Sequence, residues 1–176
     1  RHIASKDQMT SDLAYMSALD AIQDANINAT DIDLIILATS TPDQVFPSTA
    51  VKLQDMLNIR DGAAFDIHAV CSGFIYALST ADNFIKSGKY KRILVIGSEV
   101  YSRILNWKDR TTCVLFGDAS GAFVLEGQNN DDIRSGIIDS LIRSDGQYRS
   151  KLYCDGGPSM QPRTDNFINM DGKEVY

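Results

Sequence analysis

The residue whose type and position carry the most chemistry is Cys71. It follows a short apolar run, Phe65-Asp66-Ile67-His68-Ala69-Val70, and opens a small-residue turn, Cys71-Ser72-Gly73, that leads into an amphipathic helical pattern. A strand that hands a thiol to the first turn of a helix sets the sulfur before unpaired backbone N–H groups and the positive end of the helix dipole. Such groups suit an anionic sulfur and can also hold an oxyanion. Acyl transfer through a thioester is the chemistry this placement serves. Cys113 and Cys154 have no such setting and read as ordinary core thiols. His68 lies three residues from Cys71, an offset that on a strand puts the two side chains on opposite faces, so a lining role is expected for it rather than a base.

The elements that must position Cys71 follow from the hydrophobic pattern. Thr10-Ser11-Asp12 reads as a cap for a helix to about Asn26, with Leu13, Met16, Ala21 and Ile22 on one stripe. Leu34 to Ser40 is continuously apolar, as in a strand buried on both faces. A Pro-bounded loop, Thr41 to Pro47, leads to a helix over about Ser48–Leu57. Ala63–Val70 reads as a second strand, Ser72 to about Ser87 as a helix closed by Gly88, and Ile93–Ser98 as a third strand. Gly117-Asp118-Ala119-Ser120-Gly121 reads as a tight turn, followed by strands Ala122–Glu126 and Ile133–Ile142 paired across a polar loop. Ser144–Arg163 is expected to be a long irregular excursion, and Met170–Tyr176 the start of a helix. Alternating strands and helices predict an α/β layer on a mixed, mostly parallel sheet flanked by helices.

The bulk composition narrows the function classes. A chain of 176 residues with 44% hydrophobic and 23% charged residues can build a core. No apolar run approaches the ~20 residues that span a bilayer, so no membrane association is expected. A net charge of -6 speaks against nucleic acid as a partner. Three cysteines without paired spacing fit free thiols in a reducing, cytoplasmic setting, and no Cys or His spacing points to a metal.

Several segments together resemble the thiolase-fold condensing enzymes of the β-ketoacyl-acyl-carrier-protein synthase III type. They are Arg1-His2-Ile3-Ala4, Phe46-Pro47-Ser48, Asp66 through Phe74, Asp109-Arg110, Phe116-Gly117-Asp118, Ser144-Asp145-Gly146, and Met170 with Gly172, in the family's order and spacing. The resemblance implies one half of a two-fold repeated fold, the amino-terminal half, incomplete at both ends over residues 1–176. It implies that Cys71 accepts an acyl group, commonly acetyl, from acyl-CoA as substrate, without a cofactor, and condenses it with malonyl-acyl-carrier-protein. It further implies that Arg110 stacks on the adenine of coenzyme A, a role its planar guanidinium suits. Phe46 would cross a homodimer interface into the partner's acyl pocket, Tyr101 and Phe116 would shape that pocket, and Met170, Gly172, Lys173 and Tyr176 would line the pantetheine tunnel. The resemblance places the family's active-site histidine and asparagine in its carboxy-terminal half, and neither His2 nor His68 matches that histidine, so the chain alone is expected to fail at decarboxylative condensation. Ala119 stands where the family prefers glycine, a strained choice if that position has positive φ. The alternatives are a polyketide or hydroxymethylglutaryl-CoA type synthase, and a non-catalytic dimerisation or binding module.

Overall fold

The computed structural model describes residues 1–128, 136–161 and 166–175. Its central sheet has four strands in the order β2-β1-β3-β4, built from β1 (Leu34–Ala38), β2 (Ala63–Ile67), β3 (Arg92–Val100) and β4 (Asp118–Glu126). β1 pairs in parallel with β2 and β3, whereas β4 runs antiparallel along the whole of β3. The sheet is therefore mixed and mostly parallel, as the alternating pattern predicts. β1 and β3 lie in the middle with helices over both faces, which is why Leu34 to Ala38 are all buried and the run reads apolar without alternation.

Helices α1 (Thr10–Asp24) and α2 (Thr49–Met56) cover one face, and α3 (Gly73–Lys86) the other. Alternation along the central strands divides the core between them. Ile35, Leu37, Leu94 and Ile96 pack with Ala14, Ala18, Ile22 and Leu53 on the first face. Leu34, Ile36, Ala38, Ile93 and Val95 pack with Ala77 and Ala81 on the second. The small side chains of α3 at these two positions let the helix lie close to the strands.

Local chemistry fixes how the helices begin. Ser48 caps α2, accepting from Val51 N at 3.3 Å. The carboxylate of Asp66 on β2 also accepts from Thr49 N and Ala50 N, at 2.8 and 2.7 Å, and so anchors α2 to the edge strand. α1 starts otherwise than the Thr10-Ser11-Asp12 reading: Met9 is the N-cap residue, and Asp12 reaches back to its N–H at 2.7 Å. Thr10 and Ser11 lie inside the helix, where their hydroxyls donate to Thr41 O and to Asp43 Oδ2.

Four further expectations are corrected. The strand predicted over Ala63–Val70 ends at Ile67, because residues 68–72 are needed to turn the chain into α3. The glycine-containing segment Gly117–Gly121 is not a turn; Asp118 to Gly121 form the first part of β4, held in register by β3. Ala119 is extended there and is absent from the positive-φ residues, so its departure from glycine introduces no backbone strain. The strand predicted over Ile133–Ile142 is not formed within its described part, residues 136–142; β4 takes its partner from β3 instead. The predicted irregular excursion contains a short strand, β5 (Leu152–Cys154), that pairs antiparallel with β6 (Ile168–Met170) before a single helical turn, α4 (Gly172–Val175).

Part of the apolar surface is left open. Ile75 on α3 and Phe123 on β4 are exposed, as are Val114, Leu115, Ile138 and Leu141. An uncovered patch of this kind is what the resemblance to half of a repeated fold leads one to expect.

Candidate active site

Cys71 sits at the carboxyl end of β2, in a tight turn between the strand and α3. Val70 adopts φ 48°, a left-handed conformation that costs a residue with a Cβ roughly 1–2 kcal/mol. The turn closes on itself through Ser72 N donating to Ala69 O at 3.2 Å and Gly73 N donating to Val70 O. The sharp reversal throws the Cys71 side chain outward, so that the thiol is exposed rather than packed in the core. No backbone carbonyl among the described residues takes the N–H of Cys71, which leaves that donor available beside its own sulfur. α3 can bring its first turn this close to the sheet because two glycines face it. A Cβ on Gly73 would lie 3.2 Å from the Ala38 Cβ, and one on Gly97 would lie 3.3 Å from the Phe74 ring. Strain held at one residue and glycines cut to fit are the means by which a nucleophile is presented at a strand–helix junction.

The thiol borders two hollows. A cavity of about 650 Å³ is lined by Cys71, His68, Val70, Tyr101 and Phe116 on the sheet side and by Leu152, Cys154 and Ile168 from the β5–β6 hairpin. A second hollow of about 470 Å³ lies toward Phe74, Gly97 and Glu99, and it too is bordered by Val70, Cys71 and Tyr101. The sulfur therefore borders open space on two sides.

Tyr101 is the fixed wall of both hollows. Its ring packs on Phe116 with centroids 5.5 Å apart, and its hydroxyl lies 2.8 Å from Ser40 Oγ. Ser40 donates from N and from Oγ to Glu99 Oε1, each at 2.8 Å, and Thr41 Oγ1 donates to Glu99 Oε2 at 2.6 Å. With Glu99 an acceptor, Ser40 Oγ is left to accept from the tyrosine. Burial, opposed by the Ser40 hydrogen bond and aided by the negative charge of Glu99 and of the thiols at Cys71 and Cys154, pushes the Tyr101 hydroxyl up to about 12. Tyr101 is accordingly expected to stay neutral through an alkaline titration in which exposed tyrosines ionise near pH 10. Over that range the rise in phenolate absorbance should be the same in wild type and in Tyr101→Phe, because the buried hydroxyl that the substitution removes does not ionise there.

The loop that forms the rim at Thr41–Val45 is anchored by Asp43. Its carboxylate accepts from Ser11 N at 3.0 Å, Ser11 Oγ at 2.6 Å and Lys52 Nζ at 2.7 Å. Burial alone would raise its proton affinity, but the Lys52 and Ser11 contacts prevail and hold the carboxyl below the usual aspartate value. A depressed folded-state pKa gives stability that is present above the unfolded value, near 3.9, and is lost as the pH falls through the folded one. Asp43→Asn should therefore lower stability at neutral pH and flatten the acid limb of a denaturation series below about pH 4.

The structure gathers some of the sequence-predicted site residues and scatters others. Cys71, Tyr101 and Phe116 meet at the large cavity, and His68 lines it, consistent with a lining role. Phe46 is 83% exposed and lies outside the cavity, although its neighbour Val45 is on the rim. Arg110 is exposed in the turn after Asp109 and does not line the cavity. It makes no ion pair with Asp109, whose carboxylate instead accepts from Thr111 and Thr112. Met170 ends β6, and Gly172 and Lys173 begin α4, all beyond the cavity wall set by Ile168. Tyr176 lies outside the described residues. Cys113 is buried, as expected for a core thiol.

Cys154 is the exception among the thiols: it is exposed and lines the cavity with Cys71. Sequence reasoning missed it, together with Ser40, Glu99 and Asn166, because each arrives by long-range folding. The only local signal was the polar Ser40-Thr41 pair at the end of an apolar strand. Among the described residues, no cluster of three metal-ligating side chains is present, and no helix is long and apolar enough to cross a membrane.

Comparison with known proteins gives a consistent answer. The family model of 3-oxoacyl-[acyl-carrier-protein] synthase III matches residues 65–146, which include the Cys71 turn and Arg110. A β-ketoacyl-[acyl-carrier-protein] synthase III from Bradyrhizobium sp. strain BTAi1 is 54% identical across 100% of this chain and 55% of its own length. The chain thus spans about half the length of the curated relatives it matches. The crystal structure of 3-oxoacyl-[acyl-carrier-protein] synthase III from Aquifex aeolicus superposes with a TM-score of 0.90 at 43% identity, covering 99% of this chain and 53% of that one. A priming β-ketosynthase of the R1128 polyketide pathway superposes at 0.88 but shares only 27% identity, over 99% of this chain and 52% of that one.

Proposed function

We propose that this chain, which matches the amino-terminal half of β-ketoacyl-acyl-carrier-protein synthase III in sequence and in fold, carries the acyl-accepting centre of a fatty-acid condensing enzyme. The observation that carries the reading is the exposed Cys71 thiol on a strained strand–helix turn, opening onto a cavity walled by Tyr101 and Phe116.

In this reading the Cys71 sulfur attacks the thioester carbonyl of an acyl-CoA, with acetyl-CoA the expected donor. The carbonyl oxygen becomes an oxyanion held by the free N–H of Cys71, a type of contact whose loss costs about 3–4 kcal/mol of barrier. The carbon–sulfur bond to coenzyme A then breaks, the thiol leaves, and the acyl group stays on Cys71. Division of the transfer into two thioester exchanges lowers each barrier. In the whole protein the second step is condensation with malonyl-acyl-carrier-protein, with loss of carbon dioxide and formation of a β-ketoacyl thioester. The histidine and asparagine that the family uses for it belong to the carboxy-terminal half.

The remaining roles follow the family. Arg110 stacks on the adenine of coenzyme A; its solvent-facing position suits a nucleotide that stays at the surface. Phe46 enters the acyl pocket of the other subunit of a homodimer, a role that its near-complete exposure supports. Met170, Gly172, Lys173 and Tyr176 line the pantetheine path. Residues 1–176 form the amino-terminal thiolase-like domain of a cytoplasmic enzyme that needs no cofactor. The 54% identity to the Bradyrhizobium β-ketoacyl-[acyl-carrier-protein] synthase III, against 27% to the polyketide ketosynthase, supports fatty-acid synthesis over the polyketide alternative.

Incubation with acetyl-CoA and weighing of the intact protein tests the proposal. One acetyl adduct that maps to Cys71 supports it. An unmodified chain, or an adduct on Cys113 or Cys154 alone, overturns it.

A further inference from the structure

The Cys154 thiol is the feature of the site that acyl transfer leaves unused. It stands on β5, exposed, in the wall of the same 650 Å³ cavity as Cys71. Both sulfurs are close enough to the Tyr101 hydroxyl to act on its proton affinity, so the two thiols converge on one side chain. Cys113, by contrast, is buried and does not line the cavity.

We infer that Cys154 is a resolving thiol for Cys71: when a hydroperoxide oxidises the nucleophile, Cys154 captures it as a reversible intramolecular disulfide. The inference rests on the reactive Cys71 of the proposed function. The first step is attack of the Cys71 sulfur on a peroxide oxygen. The O–O bond breaks, hydroxide or alkoxide departs, and Cys71 becomes a sulfenic acid. The Cys154 sulfur then attacks the Cys71 sulfur; an S–S bond forms, the S–O bond breaks, and hydroxide leaves with the Cys154 proton as water. Two thiols lose two electrons and the peroxide gains them. A small thiol reductant returns both residues to the thiol form.

Two properties of Cys154 fit the second role better than the first. Partial burial and the neighbouring Asp155 push its thiol up from the ordinary value, so it meets a peroxide mainly as the slow-reacting protonated form. It therefore stays available as a thiol to resolve the oxidised nucleophile. A disulfide also requires the two Cα atoms within about 7 Å. Among the described residues β5, three residues long, pairs only with β6, so it is not tied by strand pairing to the four-stranded sheet. The consequence for the enzyme is protection: an irreversibly oxidised sulfur is dead to acyl transfer, whereas a disulfide is restored.

The test treats the 176-residue chain with hydrogen peroxide, traps free thiols, and maps peptides by mass before and after reduction. The expected result is a Cys71–Cys154 crosslink within one chain that disappears on reduction, unaffected by Cys113→Ser. In Cys154→Ser the same treatment should convert Cys71 to sulfinic and sulfonic acid, with loss of the reducible species. Equal overoxidation of Cys71 with and without Cys154, or crosslinks only between chains, overturns the inference. Acetyl loading of untreated protein is read in parallel: a chain that takes acetyl but overoxidises regardless of Cys154 defeats the resolving role and leaves acyl transfer standing.

Discussion

On the proposed acyl-accepting role, serine in place of Cys71 is expected to lower acetyl loading of the intact chain by several orders of magnitude. Loss of a covalent nucleophile has an effect of that size because the residues around it act only through the intermediate it forms. A serine hydroxyl at the same turn would keep the shape, the N–H of residue 71 and the cavity, but would not ionise at neutral pH without a base. Among the described residues no hydrogen bond joins His68 to residue 71, and Glu99 is occupied by Ser40 and Thr41. The far-ultraviolet spectrum and melting temperature should be unchanged, since residue 71 is exposed and outside the core. Cys113→Ser should retain full acetyl loading. A Cys71→Ser chain that still gains an acetyl group would place the acceptor elsewhere.

The second large effect is expected from Ile36→Ala. Ile36 is completely buried in the central strand, between Phe65 on β2 and Val95 on β3, and faces α3. Removal of its outer carbons loses transfer free energy and opens a cavity that the rigid neighbours cannot fill, at a cost of about 2–5 kcal/mol. Denaturant titration should show the midpoint fall with little change in slope. The same substitution acts on the site, because the first turn of α3 rests on this patch through the close approach of Gly73 to Ala38. Acetyl loading of Cys71 should therefore slow in Ile36→Ala under conditions where the variant is still folded. Equal stability, or a loss well below 1 kcal/mol, would mean that the α3 face of the sheet is not packed as described.

These two residues also mark the boundary between what is local and what is not. The burial of Leu34–Ala38 on both faces was legible because a central strand with helices on each side has no polar face to alternate. The start of α2 near Ser48 was legible because the Pro-bounded loop ends there, whereas the capping role of Ser48 came only with the structure. The turn at Cys71 was legible as a strand followed by small residues and an amphipathic helix. What lay beyond reach of the sequence was partnership. β4 starts at Asp118 rather than Ala122 because β3 offers nine residues of antiparallel ladder, and that offer overrides the turn character of Gly117 and Gly121. The Asp12 cap on Met9 and the Asp66 bonds to α2 show side chains chosen by distance in space as well as by spacing.

The site divides along the same line. Its nucleophile was written in nine contiguous residues, Phe65 to Gly73, since a strand–turn–helix junction is made by neighbours in the chain. Its walls were not. Tyr101 reaches Cys71 from the end of β3 through a bond to Ser40, sixty-one positions away, and Cys154 comes from a hairpin that no periodicity announces. Residue types and their order determined that there is a presented thiol and a sheet to present it. Only the tertiary structure decided which side chains surround that thiol, because burial and hydrogen bonding between distant segments are settled when the segments pack, and not before.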